Sequence, residues 1–370
     1  MSKYLPNQQY IVEQTSDEDY KNKRPYLTSS MAEALNTCPR WGIVHSVLAK
    51  RFVTKYRQMA LEAGSLKHDV FSFLNLLQVG IVQGLKDHMH YHGIINFEQD
   101  RWKEIIGQGL DSEGAMPKLS DTMRIEKMIY TLIATSDFYD DPDDKNRTLD
   151  NLEYSAMELF SYWQMNLKDF DILIVDEKDA TKQIGIEISL DGIIRPVDES
   201  NEGIRCIGLA DAVYQNKSTK NIVLGEYKTA AMMNVSWAKA FETRHQLTLY
   251  NALLQMIFGY QEEFKTIMIG SEIPVRPTSI STRHFEVMRN QQHINQLMNT
   301  YYFSKNIIDT YKEKPLESPM FTHSCNRYFR TCSLMDLCIA DKEDQQPMLD
   351  DMETAQELSP SEMKAFLQNM

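Results

Sequence analysis

The spacing of apolar residues along the chain changes near residue 170. From Trp41 to about Leu167, apolar side chains recur three and four positions apart, as in VFSFLNLLQVGIVQGL and MIYTLIATSDF, which is the period of an amphipathic helix. From Phe170 onward the apolar runs are short, and alternate positions are apolar at Ile184, Ile186, Ile188 and Leu190. The first half is therefore predicted to be mainly helical, and the next part is predicted to contain strands.

Further strands and helices are predicted in the second half. The segments IRCIGLADAVY and NIVLGEYK flank the turn-like QNKSTK and complete a meander of about four strands. A helix is predicted from about Ser236 to Phe258, then strands at TIMIG and near ISTRHFEV, then a helix over residues 290–312. These elements predict an α/β fold with a central mixed twisted sheet of about five strands flanked by helices, and a large N-terminal helical region.

Composition and pattern together predict five segments. The polar N-terminus predicts a flexible arm, followed by a short helix that stops at Pro39. The C-terminal segment carries eight acidic and two basic side chains and predicts a solvated acidic tail. The predicted division is an arm at 1–24, a helical region at 25–168, a sheet-containing core at 169–312, a cysteine-rich segment at 313–340 and the tail at 341–370.

The bulk composition is that of a soluble globular protein. The chain has 370 residues, of which 42% are hydrophobic and 25% charged, and no apolar run approaches the roughly 20 residues that a membrane span needs. The N-terminus lacks the apolar core of a secretory signal, so we expect a cytoplasmic protein without a membrane partner. The net charge of -13 argues against a protein that coats nucleic acid without specificity, but a small basic groove is enough to bind a backbone.

Three charged residues stand out in the segment GLADAVYQNKSTKNIVLGEYKT. Asp211 ends one predicted strand, and Glu226 and Lys228 lie two positions apart on the next. Side chains at i and i+2 of a strand point to the same face, and Asp211 can join them if the two strands pair. Two carboxylates beside an ammonium suit a hard divalent cation, Mg²⁺ or Mn²⁺, next to an anionic phosphate. The alternative is an exposed sheet face with an incidental salt bridge.

Two further pairs of residues have the spacing of one helical turn. Gln246 and Tyr250 lie four apart in HQLTLYNALLQMIFG, and Gly64 and His68 lie four apart in AGSLKHDVF. His68 alone would more often be a helix histidine with a structural partner. The order G-x-x-x-H, D, E-x-K-T and Q-x-x-x-Y, however, resembles the motif series of the RecB-like branch of the PD-(D/E)XK nuclease superfamily. The resemblance extends over roughly residues 26–340.

The resemblance implies a role for each motif residue. It implies a restriction-endonuclease-like core in which His68, Asp211 and Glu226 ligate the divalent metal, with the backbone carbonyl of Tyr227 as a further ligand. Lys228 matches the catalytic lysine of the family, which would orient or help deprotonate the attacking water and stabilise charge on the phosphorane. This chemistry is consistent with phosphodiester hydrolysis, because a metal and a nearby cation both relieve charge on the phosphoryl oxygens.

The helix motif implies contacts with the substrate. By the resemblance, Gln246 and Tyr250 would line the cleft and position the lysine or the DNA backbone. Arg244 and His245 come directly before this motif and are candidates for phosphate contacts. Solvated surface is an equal alternative for each of these two.

The five cysteines are unevenly distributed. Cys325, Cys332 and Cys338 are spaced C-x6-C-x5-C in HSCNRYFRTCSLMDLC, and disulfides are not expected in a cytosolic chain. Together with Cys38 they offer four thiolates, which suit zinc or an iron–sulfur cluster. Structural zinc usually uses C-x2–4-C pairs, and neither interval matches that spacing. A chance grouping of buried free thiols is the third alternative.

One cysteine followed by a C-terminal trio resembles the iron–sulfur arrangement of RecB-like nucleases of CRISPR adaptation and of AddB-type helicase–nuclease subunits. The Cys38-Pro39 pair after a short helix matches those families, whereas the x6 interval is longer than in AddB-type chains. The resemblance implies a [4Fe–4S] cluster on these four cysteines that joins the two ends of the chain, with zinc as the alternative. Cys206 lies in a predicted strand and is expected to be a core residue.

These features predict a metal-dependent deoxyribonuclease, acting as an exonuclease on DNA ends or single strands in recombination, repair or CRISPR adaptation. The chain contains no G-x-x-x-x-G-K-[ST] motif, so a separate helicase, recombinase or CRISPR-adaptation protein is the expected partner beside the DNA. Two alternatives stay open: a catalytically inactive nucleic-acid end-binding or assembly module of the same fold, and an iron–sulfur electron carrier. The sequence does not determine whether DNA or RNA is the preferred substrate, in which direction a strand is cleaved, or the oligomeric state.

Overall fold

The structure is a computed structural model in which most of the chain is described. The described residues are 9–16, 19, 25–51, 59–83, 99–136, 138, 147–176, 182–198, 202–230, 233–259, 263–272, 282–327 and 330–354. Within these ranges, no helix combines the length and the apolar character that crossing a membrane requires.

Helices precede the main run of strands, connect two of those strands and follow the last one. They are α1 (Ser29–Thr37), α2 (Met59–Gln83), α3 (Gln99–Gly109), α4 (Thr122–Ala134), α5 (Leu149–Asn166), α6 (Val235–Glu242), α7 (His245–Phe258), α8 (Gln291–Tyr311), α9 (Met335–Ile339) and α10 (Lys342–Asp350). A single turn at Pro39–Trp41 continues into a π-helix at Gly42–Val47, and 3-10 turns lie at Pro315–Glu317 and Thr322–Ser324.

Among the described residues, eight strands form one mixed sheet. They are β1 (Tyr10–Gln14), β2 (Tyr26–Leu27), β4 (Phe170–Ile172), β7 (Ile186–Pro196), β8 (Ile204–Asn216), β9 (Ile222–Ala230), β10 (Glu263–Glu272) and β11 (Thr282–Asn290). The remaining strands form small separate pairs: β3 (Lys50–Arg51) with β14 (Glu353–Thr354), β5 (Ile174–Asp176) with β6 (Lys182–Ile184), and β12 (Asn326–Arg327) with β13 (Arg330–Thr331).

The strand order explains how helix α7 comes to lie over the sheet. The order is β1-β7-β8-β9-β10-β11, and β2 and β4 both pair with β8. Along this path β9 and β10 are parallel, whereas the other neighbours are antiparallel. Parallel neighbours need a long crossover connection, and α6 and α7 provide it.

Helices cover both faces of the sheet, so the predicted α/β class is confirmed. On one face, α2, α3, α4 and α5 pack against buried sheet residues such as Tyr214 and Tyr227. On the other face, α1, α7 and α8 pack against residues such as Val213 and Leu224. The sheet has more strands than the five expected. Short strands such as Tyr26–Leu27, which pairs with β8, are too short to show a period in their apolar residues.

Two sequence-based expectations about helices and strands need correction. Residues 10–14 of the predicted arm form β1, which pairs with β7 and buries Ile11; the short run YIVEQ was hidden in a polar context. The helix expected over residues 236–258 is two helices, with a break at Thr243 and Arg244. The predicted helix over residues 290–312 and the strand at TIMIG are confirmed.

The acidic segment after residue 341 is ordered over its first part. Helix α10 buries Leu349, and Met352 is buried next to it, in an apolar cluster with Val44 and Leu337. Lys50 also donates a 2.8 Å hydrogen bond from Nζ to the carbonyl of Leu349. Residues 342–354 therefore contain a helix and a short strand anchored by Leu349 and Met352, while most of the side chains over residues 341–351 are exposed as expected; residues 355–370 lie outside the described residues.

Candidate functional site

Asp211 lies inside β8, at the point where β8 and β9 separate. The two strands pair as far as Ala212 opposite Gly225, and continuing that register places Asp211 opposite Glu226. At this point the backbone N–H of Tyr227 donates to Oδ2 of Asp211 at 2.6 Å. The sequence pattern placed Asp211 at a strand end, but β8 continues because β7 pairs along its other edge. The hydrogen bond fixes the carboxylate at the opening between the strands.

Glu226 and Lys228 form an ion pair inside the protein. Nζ of Lys228 donates to Oε1 of the fully buried Glu226, whereas Oε2 of Glu226 is buried and has no hydrogen-bond partner among the residues that the structure describes. Burial, and then the Asp211 carboxylate, raises the pKa of Glu226 well above its ordinary value. Burial lowers the pKa of Lys228, but Glu226 and Asp211 outweigh that effect and raise the pKa above its ordinary value. A buried acceptor without a donor is a position that a cation can fill.

His68 reaches Asp211 from helix α2. Its Nδ1 atom lies 3.9 Å from Oδ1 of Asp211. Burial lowers the pKa of His68, and Asp211 only partly opposes this. The imidazole is therefore neutral at neutral pH, which is the form that ligates metal ions.

Two contacts set the position of α2 relative to the sheet. Nδ2 of Asn75 donates a 2.8 Å hydrogen bond to the Tyr227 hydroxyl, and Asn75 lies seven residues after His68 on the same face of the helix. Gly64, four residues before His68, faces β9 so closely that a Cβ atom there would lie 3.1 Å from Oγ1 of Thr229. The glycine of the G-x-x-x-H motif thus permits the close approach that brings His68 to the sheet.

A third carboxylate, Glu187, belongs to the same group but was not among the residues predicted from the sequence. His68, Glu187 and Asp211 each offer one ligand atom, and these atoms all lie within 4.8 Å of one another. Oγ of Ser72 donates to Oε1 of Glu187 at 3.2 Å. In the sequence Glu187 alternates with isoleucines, as any outward-facing polar residue of a strand does, so no pattern marks it.

Helix α7 places the Q-x-x-x-Y motif next to the carboxylates. Nε2 of Gln246 donates to the Tyr250 hydroxyl at 3.0 Å. Burial raises the pKa of Tyr250, and the Glu226 carboxylate adds to the effect. The Tyr250 ring packs on Gly208 of β8, where any Cβ atom would overlap it.

The two residues before that motif have different surroundings. Arg244 is exposed, its guanidinium lies 4.8 Å from the centroid of the Phe241 ring, and its charge acts on Glu226. The ring of His245 lies 6.5 Å from that of Tyr301 on α8, and burial lowers the pKa of His245. Arg244 is therefore the better placed of the two for contact with an anion.

A cleft of about 230 Å³ opens beside these groups, between α2 and the sheet. Its lining includes Lys67, His68, Lys228 and Thr229. Buried Lys67 donates to Oγ of Ser271 and to other acceptors, so it joins α2 to the sheet at the cleft wall. The cleft gives a ligand access to His68 and Lys228 from one side.

The four cysteines of the predicted cluster lie in one neighbourhood. Cys38 follows α1 as its C-cap, and the N–H of Cys332 donates to the carbonyl of Cys325 at 2.7 Å. Burial raises the pKa values of Cys332 and Cys338, and the Cys38 thiol adds to both. Cys206 is fully buried in the separate apolar core beneath α1, α7 and α8.

A buried arginine lies against these thiols. Arg40 is 7% exposed, and among the described residues it donates to the Leu316 carbonyl, the Met320 thioether and the Cys338 thiol. None of these acceptors is charged, and Nε of Arg40 is buried without a hydrogen-bond partner. A buried guanidinium favours thiolates over thiols beside it, and thiolates are the form that metal ligation requires. Four thiols are a donor set for zinc or an iron–sulfur cluster, and the free N–H of Arg40 can donate to a thiolate or a sulfide. Among the described residues, however, the thiol sulfurs are not within the 4.8 Å spacing that groups His68, Glu187 and Asp211.

Comparison with known proteins gives little information beyond this geometry. No protein-family model matches the sequence, and a search of curated proteins finds no significant match. Among solved structures, a "putative exonuclease" from Eubacterium rectale is similar over 89% of this chain and 95% of its own, with 11% sequence identity and a TM-score of 0.36. That likeness is too distant to support an argument, so the functional conclusion rests on the site.

Proposed function

We propose that the protein is a metal-dependent nuclease that hydrolyses phosphodiester bonds in DNA. One observation carries the proposal. Nδ1 of His68 lies 3.9 Å from Oδ1 of Asp211, and the buried ion pair of Glu226 and Lys228 lies beside them. A neutral imidazole and two carboxylates are ligands for a divalent cation, and an ammonium beside them suits a phosphate. The order of these residues in the chain resembles that of RecB-like nucleases, which supports the same conclusion.

Each residue of the site has a proposed role. His68, Asp211 and Glu226 would hold Mg²⁺ or Mn²⁺, with the backbone carbonyl of Tyr227 as a further ligand. A cation bound there lowers the pKa of water and stabilises negative charge on a phosphoryl oxygen. Lys228, whose pKa is raised, keeps its proton at neutral pH and acts as a positive charge that orients the water and stabilises the phosphorane.

The other polar residues would act on the substrate around the reacting phosphate. Gln246 orients the Tyr250 hydroxyl, which lies beside the carboxylates and borders the substrate path. Arg244 offers an exposed cation for a neighbouring backbone phosphate. His245 packs against Tyr301, so its phosphate contact is the weaker part of the proposal.

We infer that the substrate is a DNA end or a single strand. The support for this inference is the resemblance to RecB-like nucleases, together with the exposed Arg244 close to the carboxylates as a contact for one backbone phosphate. An enzyme of this kind would act on ends supplied by a helicase, a recombinase or a CRISPR-adaptation protein, as the resemblance implies. The role would then lie in recombination, repair or CRISPR adaptation in the cytoplasm.

We also propose that Cys38, Cys325, Cys332 and Cys338 hold a [4Fe–4S] cluster, with zinc as the alternative. The supporting observations are the shared neighbourhood of the thiols and the buried Arg40 with its unpartnered Nε. A cluster there would stabilise the fold by linking the residue after α1 to α9 and the segment before it. Iron and sulfide analysis of anaerobically purified protein distinguishes the two metals, because zinc brings no sulfide.

A cleavage assay with end-labelled DNA tests the proposed activity. With Mn²⁺, the protein is expected to release short products from a labelled end, and EDTA should stop the reaction. Single-stranded DNA, duplex DNA and RNA of one sequence, compared in parallel, define the substrate class. The inactive end-binding alternative predicts retarded DNA in a gel shift and no product at any Mn²⁺ concentration.

A further inference from the structure

We propose that Glu187 is a metal ligand of this site, in addition to His68 and Asp211. The inference rests on the proposed function, and it adds a residue that lies outside the four-motif series. Its first support is the convergence of one ligand atom from each of these three residues within 4.8 Å. Three donors this close can converge on one cation after a small inward movement of the side chains, since Mg²⁺ binds oxygen ligands at about 2.0–2.1 Å.

The sheet register places Glu187 in line with the other carboxylates. Ile186 pairs with Ala212 and Ile188 with Ala210, so Glu187 lies opposite Asp211. The register of β8 with β9 places Asp211 opposite Glu226 in turn. Three neighbouring strands therefore carry one carboxylate each at the same level of the sheet.

The backbone of Glu187 is in an unfavourable conformation. Its φ angle is +47°, in the left-handed region that residues other than glycine rarely adopt. Strain of this kind persists where the surrounding structure enforces it, and it is concentrated at functional sites. Here it departs from the extended backbone on either side and directs the carboxylate toward His68 and Asp211.

Glu187 lies at the same level of the sheet as two other carboxylates, those of Asp211 and Glu226. Its Oε1 atom accepts a 3.2 Å hydrogen bond from Oγ of Ser72. Among the described residues, the fully buried Glu226 has an Oε2 atom without a hydrogen-bond partner, and a cation bound in this group can satisfy that oxygen.

A charge count shows what would satisfy the group. Once a bound cation has displaced their protons, Glu187, Asp211 and Glu226 contribute three negative charges and Lys228 one positive charge, which leaves two negative charges. One divalent cation balances them. With Glu187 the protein ligands are mainly carboxylate oxygens, which favours Mg²⁺ or Mn²⁺ over softer metals.

Mn²⁺ binding to the full-length protein, stripped of divalent ions with EDTA and dialysed, tests the proposal by calorimetry. Glu187→Gln is expected to weaken Mn²⁺ binding at least tenfold, because it removes a charged ligand and keeps the size of the side chain. The matched control is Asp69→Asn, which removes another partly buried carboxylate next to His68 that is outside the ligand group. The control should change the affinity less than threefold, since it removes a nearby charge but no ligand atom.

Glu187→Gly separates a ligand from a structural residue. Glycine accepts the positive φ without strain, so the metal-free variant should melt at the same temperature as the wild type or higher. Its Mn²⁺ affinity should nevertheless fall as far as that of Glu187→Gln. A lower melting temperature with unchanged Mn²⁺ affinity would instead make Glu187 a structural residue and overturn the proposal.

The outcomes also separate this inference from the proposed function. If the wild type binds Mn²⁺ and cleaves DNA but Glu187→Gln binds Mn²⁺ within threefold as tightly, only the assignment of Glu187 is wrong. If the wild type neither binds Mn²⁺ nor cleaves DNA, the proposed function fails and the assignment of Glu187 fails with it.

Discussion

The backbone N–H of Tyr227 donates a 2.6 Å hydrogen bond to Oδ2 of Asp211, at the place where the ladder between β8 and β9 opens. This bond connects the two central motifs of the site directly, because Tyr227 lies between Glu226 and Lys228. It also gives the carboxylate a structural role that is separate from metal binding.

Because Asp211 accepts a hydrogen bond from the Tyr227 N–H, two variants of Asp211 should differ in stability. Asp211→Asn keeps an acceptor for the Tyr227 N–H, whereas Asp211→Ala leaves that buried donor without one, which costs about 1–3 kcal/mol. In EDTA, the free energy of unfolding of the Ala variant should therefore be lower than that of the Asn variant by this amount. Urea unfolding followed by circular dichroism measures the difference, and equal stabilities would contradict the role assigned to the hydrogen bond.

The ion pair of Lys228 predicts a loss of turnover without a loss of metal. Lys228→Met should reduce the cleavage rate at saturating Mn²⁺ by about 10²-fold or more, because charge stabilisation in the transition state is lost. The Mn²⁺ dissociation constant should stay the same or decrease, since a nearby positive charge is removed. Single-turnover kinetics and calorimetry on the same preparation check both values. A collapse of Mn²⁺ binding together with the activity would show that the lysine has a structural role.

The raised pKa values of Glu187 and Glu226 predict how stability depends on pH in the absence of metal. Both groups would ionise near 4.5 in the unfolded chain, but burial and neighbouring carboxylates raise their pKa values in the fold. The folded protein then binds more protons at intermediate pH, so its free energy of unfolding falls as the pH rises.

Melting temperatures in EDTA between about pH 5 and pH 8 measure this effect. They should decrease with pH, and Glu226→Gln should reduce the slope because one of the two groups no longer titrates. Saturating Mn²⁺ should also flatten the profile, because the cation takes the place of the protons. A melting temperature that rises over this range in EDTA would contradict the pKa assignment.

The proposed cluster predicts that four of the five Cys→Ser variants lose iron and that the fifth retains it. Replacing Cys38, Cys325, Cys332 or Cys338 by Ser should lower iron content, solubility and melting temperature together, because a shared cluster restricts the unfolded chain across nearly 300 residues. Cys206→Ser is the matched control: it should retain the iron and lose about 1–3 kcal/mol for a hydroxyl in the core. Iron and sulfide analysis of the five variants checks the pattern, and an equal loss in all five would count against a cluster.

The sequence predicts the central motifs of the site because their geometry is local. Glu226 and Lys228 share a strand face by their i, i+2 spacing, and Gln246 and Tyr250 share a helix face by their i, i+4 spacing. Both relationships are present in the structure. The α/β class could be predicted for the same reason, since it depends on the period of the apolar residues.

The remaining parts of the site depend on tertiary structure and could not be predicted. Glu187 joins the site through strand register and a positive φ, and neither property has a signature in a single sequence. His245 follows the same helix pattern as its neighbours, but its ring is set by the packing of Tyr301. Strand β1 was missed because its pairing with β7 is more than 170 residues distant in the chain.

The most direct test of the central claim is the cleavage rate of Asp211→Asn. Asp211 lies within 3.9 Å of His68 and opposite both other carboxylates, so its loss should reduce Mn²⁺-dependent cleavage of end-labelled DNA by about 10²-fold or more. Asp171→Asn on β4 of the same sheet, whose side chain is 48% exposed, is the matched control and should cleave at the wild-type rate. Undiminished Mn²⁺-dependent cleavage by Asp211→Asn would contradict the account.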